Sequence, residues 1–480
     1  MSITLILGAT IATMDDARRV IDDGGLAVGG DSIAFVGTRA EAEARFPDAQ
    51  RIDATGKLML PGLIDVHAHA GHGLIKTLAY GDGERWEALC EAAYTVASTP
   101  EFWQAEARLA ALERLRFGVT CGVSLLGGGD TIMRSDDPAY ADAHCEGVAS
   151  IGTRSVVAIG PTRAPHPRTY ARWQDDRAER YDVSFEQQLA TACGVADRWH
   201  GSGTLSVALI YPTLRDEHEQ RLDPVIFADA CAQAQETRAA AEDRGLVFTQ
   251  DGHTRGSVRR AASLGLLGPR TLLSHATDLD PDEIATLAET GATIAHNPSA
   301  VASILGRCPA TELMAAGVTV ALGSDATAPD RSADMFRHMQ QAMHYHRRHF
   351  RDPALLPPGK TLEMATRAGA KALGMEDRIG SLEAGKAADL ILVRLDRPHI
   401  APPLMPLAQA ICFANGNDVD FVMIDGVVRL QGGQAVGVDE QAVAADAMRE
   451  ARTMLARANG EGLDKLPDGF WDLRLGAAQE

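Results

Sequence analysis

Between about Leu58 and Gly374 the chain repeats a single pattern, a short apolar run followed by an amphipathic stretch and then another apolar run. Eight of these runs read as strands: Leu58–Val66, Val119–Leu125, Arg154–Ile159, Leu205–Ile210, Gly245–Thr249, Thr271–Ser274, Ala292–Ala295 and Val318–Leu322. Helical stretches lie between them, among them Glu101–Arg116, Pro224–Arg244 and Pro281–Thr290. Strands that are apolar on both faces need cover on both sides, and a β-α alternation supplies it only in a parallel sheet. With eight repeats such a sheet closes on itself, so the expected fold class is α/β, a (β/α)8 TIM-like barrel. Barrels of this kind carry their chemistry at the carboxyl ends of the strands.

The two ends of the chain follow a different pattern. Residues 3–8 and 25–36 alternate apolar and polar positions around Gly29-Gly30-Asp31, and the same style returns in Ala388–Val393 and Asp420–Leu430, with a turn at Asp425-Gly426. Neither end has enough strands to be stable alone, so both are expected to join in one small β-sandwich. This divides the chain into a β-sandwich domain (1–57 plus 375–437), a (β/α)8 barrel (58–374), and a C-terminal helix and tail (438–480) with its helix over Asp439–Asn459.

Bulk properties exclude several classes of function. No apolar run approaches the roughly 18 residues of a membrane span, and the first residues meet Asp15 and Asp16 without a basic leader. A cytoplasmic protein with no membrane partner is expected. A net charge of −19 speaks against a nucleic-acid partner, since no basic stripe is present to displace counterions from phosphates. The seven cysteines are scattered without C-x-x-C spacing and read as reduced thiols. The expected partners are a small-molecule substrate and further copies of the chain, as a homo-oligomer.

His67 and His69 stand two residues apart at the end of the first predicted strand, where a period of two points both rings the same way. The triplet alone says little. With 15 histidines in 480 residues, H-x-H arises by chance roughly 0.5 times. Indeed His344-Tyr345-His346 repeats it inside Asp334–Phe350, which reads as helix, where two residues span about 200°. That second triplet, with His338 and His349, is expected on a solvated or interhelical face. What distinguishes the first is its company: His275 closes one predicted strand, and Asp325 follows another through Gly323-Ser324. Imidazoles and a carboxylate converging from separate strands can hold a divalent ion with one position open to water.

The segments PGLIDVHAH, LLSHATDLDPDEIATLAETGATIAHNPSA, ELMAAGVTVALGSDA and IGSLEAGKAADLILV resemble the signature segments of the amidohydrolase superfamily, in its cytosine-deaminase and triazine-hydrolase branch. The likeness is strongest over 58–76, 264–336 and 362–430 and weakest over 126–200. It implies that one divalent metal ion, Zn2+ first and Fe2+, Co2+ or Mn2+ as alternatives, is bound by His67, His69 and Asp325. It also implies that His275 hydrogen-bonds the attacking water or the substrate.

The fifth strand departs from that branch, which ordinarily ends it with a ligand His followed three residues later by a proton-shuttling Glu. Here Gln250 falls at the His position and His253 at the Glu position. Gln250 as ligand, His253 as ligand, and neither all remain open, since an amide oxygen is a weaker donor than imidazole. Ring deamination needs an acid at the Glu position. The expected activity is therefore metal-dependent hydrolysis of a C–N bond in an amide, urea, carbamate or amino-substituted heterocycle, with catalytic roles for His253, His275 and Asp325. Alternatives are a deaminase or dechlorinase of a nitrogen heterocycle, and a non-catalytic member of the superfamily. Trp86, Arg163 and His166 are candidate substrate contacts, weighed against a packing role for Trp86 and a plain surface loop for the other two.

Overall fold

The computed structural model describes residues 3–129, 131–299, 306–328 and 330–473. Its central sheet has eight strands, adjacent in chain order: β1 (Leu63–Asp65), β2 (Val119–Leu125), β3 (Arg154–Ile159), β4 (Leu205–Ile210), β5 (Phe248–Gln250), β6 (Thr271–Ser274), β7 (Thr293–His296) and β8 (Val320–Leu322). Every neighbouring pair is parallel. The seam between first and last is drawn together by backbone bonds, Val66 N–H to Leu322 O at 3.1 Å and Asp325 N–H to His67 O at 2.8 Å. The result is the expected (β/α)8 barrel. All residues of β2 and β3 are buried, as their unbroken apolar runs require.

Helices cover the outside, among them α1 (Gly83–Ala92), α2 (Pro100–Arg116), α3 (Pro224–Asp243), α4 (Pro281–Thr290), α5 (Met335–Phe350) and α6 (Glu440–Arg457). Their starts are written in the sequence. Asp223 and Asp280 cap α3 and α4 with proline at the first helical position, and Glu283 completes a capping box on α4. Asp439 caps α6; residues 474–480 of the expected tail lie outside the described residues.

The two termini join in one mixed nine-stranded sheet. Lys57–Pro61, from the N-terminal part, pairs antiparallel with Leu390–Arg394 from the C-terminal part and links the halves. The single apolar run Leu58–Val66 therefore serves two sheets. Lys57–Pro61 belongs to the terminal sheet and Leu63–Asp65 to the barrel, with the break at Gly62, where a Cβ would stand 2.0 Å from Thr120 Oγ1. Arg154 at the foot of β3 bonds Asp389 (Nε–Oδ2, 3.1 Å) and Asp425 (Nη2–Oδ1, 2.6 Å) of the terminal segment, with Arg154 and Asp389 both buried. Removing one partner from such a buried set costs about 3–5 kcal/mol, because the other charge is left without compensation.

One further element lies between β3 and β4, an antiparallel hairpin of Arg168–Gln174 and Arg177–Val183. The helical H-x-H triplet splits as helical geometry requires. His344 is exposed, while His346 is buried with Nε2 3.2 Å from His296 Nε2. Among the described residues, no helix is long and apolar enough to cross a membrane.

Candidate metal centre

The first barrel strand ends at Asp65, and the chain runs on past it with isolated parallel bridges from Ala68 to Asp325 and from His69 to Leu125. Asp65 is fully buried and fixes this run against the eighth strand. Its Oδ1 accepts from His67 N–H (3.3 Å) and Ser324 N–H (2.9 Å), and its Oδ2 accepts from Ser324 Oγ (2.6 Å). Gly323 allows the close approach, since a Cβ there would stand 2.8 Å from His67 Cβ. His69 donates from Nδ1 to Gly127 O at 2.5 Å, which fixes the tautomer and leaves Nε2 with a lone pair.

Two carboxylates face these rings. Asp325 Oδ1 lies 3.5 Å from His67 Nε2 and 3.1 Å from His69 Nε2. Asp251 Oδ1 lies 3.3 Å from His67 Nε2 and 3.1 Å from His275 Nε2, and its Oδ2 lies 3.4 Å from His69 Nε2. The donor atoms of His67, His275 and Asp325 fall within 4.8 Å of one another, as do those of His67, His69 and Asp251. His67 Nε2 is buried without a hydrogen-bond partner. Three imidazoles, one of them with a buried nitrogen that has no hydrogen-bond partner, and two carboxylates suit a divalent ion of the zinc type.

The electrostatics agree. Burial pushes the His67 pKa down, but Asp251 and Asp325 outweigh it and hold it up at about 9. Burial likewise opposes charge on Asp251 and Asp325, yet the imidazoles keep both well below the usual carboxylate range. The pocket is thus built to balance two negative charges with a buried cation. Backbone strain is present here too: His275 (φ 67°), Ala276 (φ 50°) and Asp325 (φ 63°) are all left-handed, a conformation that non-glycine residues adopt at a cost. Asn297 Nδ2 donates to His275 Nδ1 at 3.4 Å, which leaves the His275 proton on Nε2, facing Asp251.

Asp251 did not stand out in the sequence. The fifth strand stops at Gln250, and the chain bends so that Asp251 turns inward; Thr213 Oγ1 holds its carbonyl at 2.6 Å and the Ser274 hydroxyl donates to its Oδ1. Gly252 (φ 83°) completes the bend, with its N–H on Ser274 Oγ at 3.0 Å. The available signal was a carboxylate one residue past a strand end, beside a glycine. Gln250, by contrast, donates its amide to Tyr211 O (3.5 Å) and Pro212 O (3.4 Å), and its Oε1 is buried without a hydrogen-bond partner.

His253 belongs to neither donor cluster. Its Nδ1 meets Ser257 Oγ at 2.9 Å, its Nε2 is buried without a partner, and burial lowers its pKa to about 3. Trp86 sits one ring away from the centre, its indole 5.6 Å from His72, which stacks on His69 at 5.2 Å. Arg163 is buried with Nη1 2.8 Å from His218 Nδ1. His166 is engaged by Thr162 Oγ1 (3.1 Å) and Gln233 Nε2 (3.4 Å) rather than by any member of the cluster.

Residues 58–429 match the sequence profile of the Amidohydrolase family, which covers all eight barrel strands and reaches into the C-terminal strands. The chain belongs to the amidohydrolase family. As an amidohydrolase it is an enzyme that hydrolyses carbon–nitrogen bonds. It is 32% identical over 431 residues to a 5-methylthioadenosine/S-adenosylhomocysteine deaminase of Nitratidesulfovibrio vulgaris (strain DP4), covering 88% of this amidohydrolase and 91% of that relative. It is 27% identical to a 5'-deoxyadenosine deaminase of Methanosarcina mazei, covering 96% and 100% of the two chains. Among solved structures, an adenosine deaminase from Xanthomonas campestris with bound zinc matches at a TM-score of 0.80 with 25% identity, over 94% of this chain and 98% of that one. An atrazine chlorohydrolase from Arthrobacter aurescens TC1 complexed with zinc shares the fold, with a TM-score of 0.76 and 22% identity over 93% and 100%.

Proposed function

We propose that this amidohydrolase is a zinc-dependent deaminase of an adenosine-type nitrogen heterocycle. The observation that carries the reading is Asp251, a carboxylate held between His67, His69 and His275 at 3.1–3.4 Å. Deamination of a ring needs an acid–base group to move protons, and Asp251 supplies one although His253 stands where the related branch has Glu. The relatives that deaminate adenosine derivatives support the substrate class.

His67, His69 and Asp325 would hold the ion, with Asp251 beside them. When bound, the ion supplies Lewis acidity that brings an attacking water toward neutral pKa. His275 donates from Nε2 and orients that water against the carbon bearing the amino group. Asp251 takes one proton from the water and gives it to the ring nitrogen, then carries the second, from the hydroxyl now on the attacked carbon, to the amino group, which leaves as ammonia while the carbonyl forms. Trp86 walls the pocket through His72 and excludes bulk water. The enzyme acts on its small molecule in the cytoplasm, as a homo-oligomer whose size sedimentation would give.

A second reading has its own observation. Gln250 and His253 replace both fifth-strand residues of the related branch, which favours an amide, urea or carbamate substrate. One assay separates the two. Zinc-loaded enzyme is offered 5'-deoxyadenosine, 5-methylthioadenosine and S-adenosylhomocysteine beside aryl amides, ureas and carbamates. Ammonia release with loss of the adenine absorbance is expected; amine or acid release from the second panel alone would replace deamination with the second reading.

A further inference from the structure

Helix α1 has two faces. Trp86 and Cys90 point toward the metal centre, where the Trp86 ring lies 5.6 Å from His72 and Cys90 Sγ lies 3.9 Å from His72 Nε2. Ala88, Glu91, Ala92 and Thr95 recur at helical spacing on the opposite face, the last of them in the π-turn Ala93–Ala97 that continues the helix. These four line a separate cavity of about 460 Å3, whose other wall is the start of the β-hairpin, Pro167–Thr169, together with Thr131 and Arg180.

The charges on that cavity do not cancel. Arg168 and Arg180 both line it, against the single carboxylate of Glu91. Among the described residues, neither guanidinium has an ion-pair partner within 4.0 Å. Arg168 is half-buried: Nη2 donates to Arg163 O at 3.2 Å, while its Nε is buried with no partner at all. Burial lowers the Arg168 pKa and Arg163 adds to the fall, with Tyr170 and Glu91 pulling the other way. The Thr95 and Thr169 hydroxyls are committed to Glu91 O and Asp182, so recognition in this space is left to the two guanidinium groups and the Thr131 hydroxyl. A planar guanidinium with free N–H groups is suited to bidentate binding of carboxylate or phosphate oxygens.

We propose that the cavity behind α1 binds a small molecule through an oxyanion, a carboxylate or a phosphate, held by Arg168 and Arg180. The site is distinct from the metal centre, with the thickness of α1 between them.

Titration calorimetry of the metal-loaded enzyme with inorganic phosphate in one arm and succinate in the other, at constant ionic strength with chloride as control, tests the site. Saturable binding of at least one anion is expected, and the arm that binds identifies the oxyanion. Arg168→Ala weakens it roughly ten-fold or more, and Ala92→Glu, which puts a competing carboxylate on the wall, abolishes it. Arg180 is exposed, so Arg180→Ala folds as the parent does and still loses affinity. No saturable binding of either anion, or unchanged affinity in Arg180→Ala and Ala92→Glu, overturns the proposal; the latter result would place the anion elsewhere, including at the metal.

Discussion

The ends of the first and fifth barrel strands supply the same centre by different means. At β1 the side-chain period of two does the work: the chain runs on past Asp65, and His67 and His69 arrive together. At β5 the strand ends at Gln250, where the related branch has its ligand, and a bend at Asp251 and Gly252 turns the next side chain, a carboxylate, inward. A position counted along a strand thus predicts the geometry only while the strand lasts. Beyond that point the turn decides which side chain enters the site, and here it selects Asp251 over Gln250.

The sharpest way to break this comparison is at Asp251. Asp251→Asn is expected to lower kcat/KM by about 10³-fold, roughly 4 kcal/mol of transition-state stabilisation, with reduced zinc content by elemental analysis. Near-normal turnover in this variant would return the fifth-strand role to Gln250 or His253. Next comes the anchor of the first strand. Asp65→Asn should cost roughly 3 kcal/mol in denaturant unfolding, because Ser324 and the nearby Arg114 lose their buried partner. It should also weaken metal binding about 10- to 100-fold, although Asp65 does not face the ion.

A third test lies under the turn that follows His69. Glu106 is buried and accepts Gly73 N–H at 3.3 Å; burial pushes its pKa up to about 7, against the pull of the Gly71 and Gly73 amides. The folded state therefore holds this proton more tightly than the unfolded chain does, and stability falls as pH rises from about 4.5 through 7. Glu106→Gln abolishes that fall, so the gap between variant and wild type should open to at most about 3 kcal/mol by pH 8. Parallel thermal midpoints from pH 5 to 8 would remove Glu106 from the account. The smallest expected effect is at Gln250: Gln250→Ala should cost less than about ten-fold in kcat/KM and leave zinc content unchanged.

These contrasts also mark what the sequence made legible. The eight strands, the capped helices and the joining of the termini could be read from periodicity and from Asp-Pro starts, because those patterns act locally. His67, His69, His275 and Asp325 could be read because each closes or follows a strand. The division of Leu58–Val66 could not, since Pro61-Gly62 interrupts an apolar run without changing its character, and only the contact with Thr120 shows why the chain changes sheets there. The hairpin of Arg168–Gln174 and Arg177–Val183 was missed for another reason. Its aromatic residues Tyr170, Trp173 and Tyr181 are spread among charged neighbours, and its turn at Asp175-Asp176 carries no glycine. Asp251 was hidden because its role depends on a bend rather than on a period.

The seam of the barrel has a consequence for the birth of the enzyme. The bond from Asp325 N–H to His67 O joins the first strand to the last, and the residues it joins are members of the same donor set. A nascent chain that has emerged only as far as β7 carries His67, His69, Asp251 and His275 but has nothing to close them against. Metal loading should therefore follow the arrival of the eighth strand, and a captured ion would then act as a clasp that keeps the finished ring from reopening.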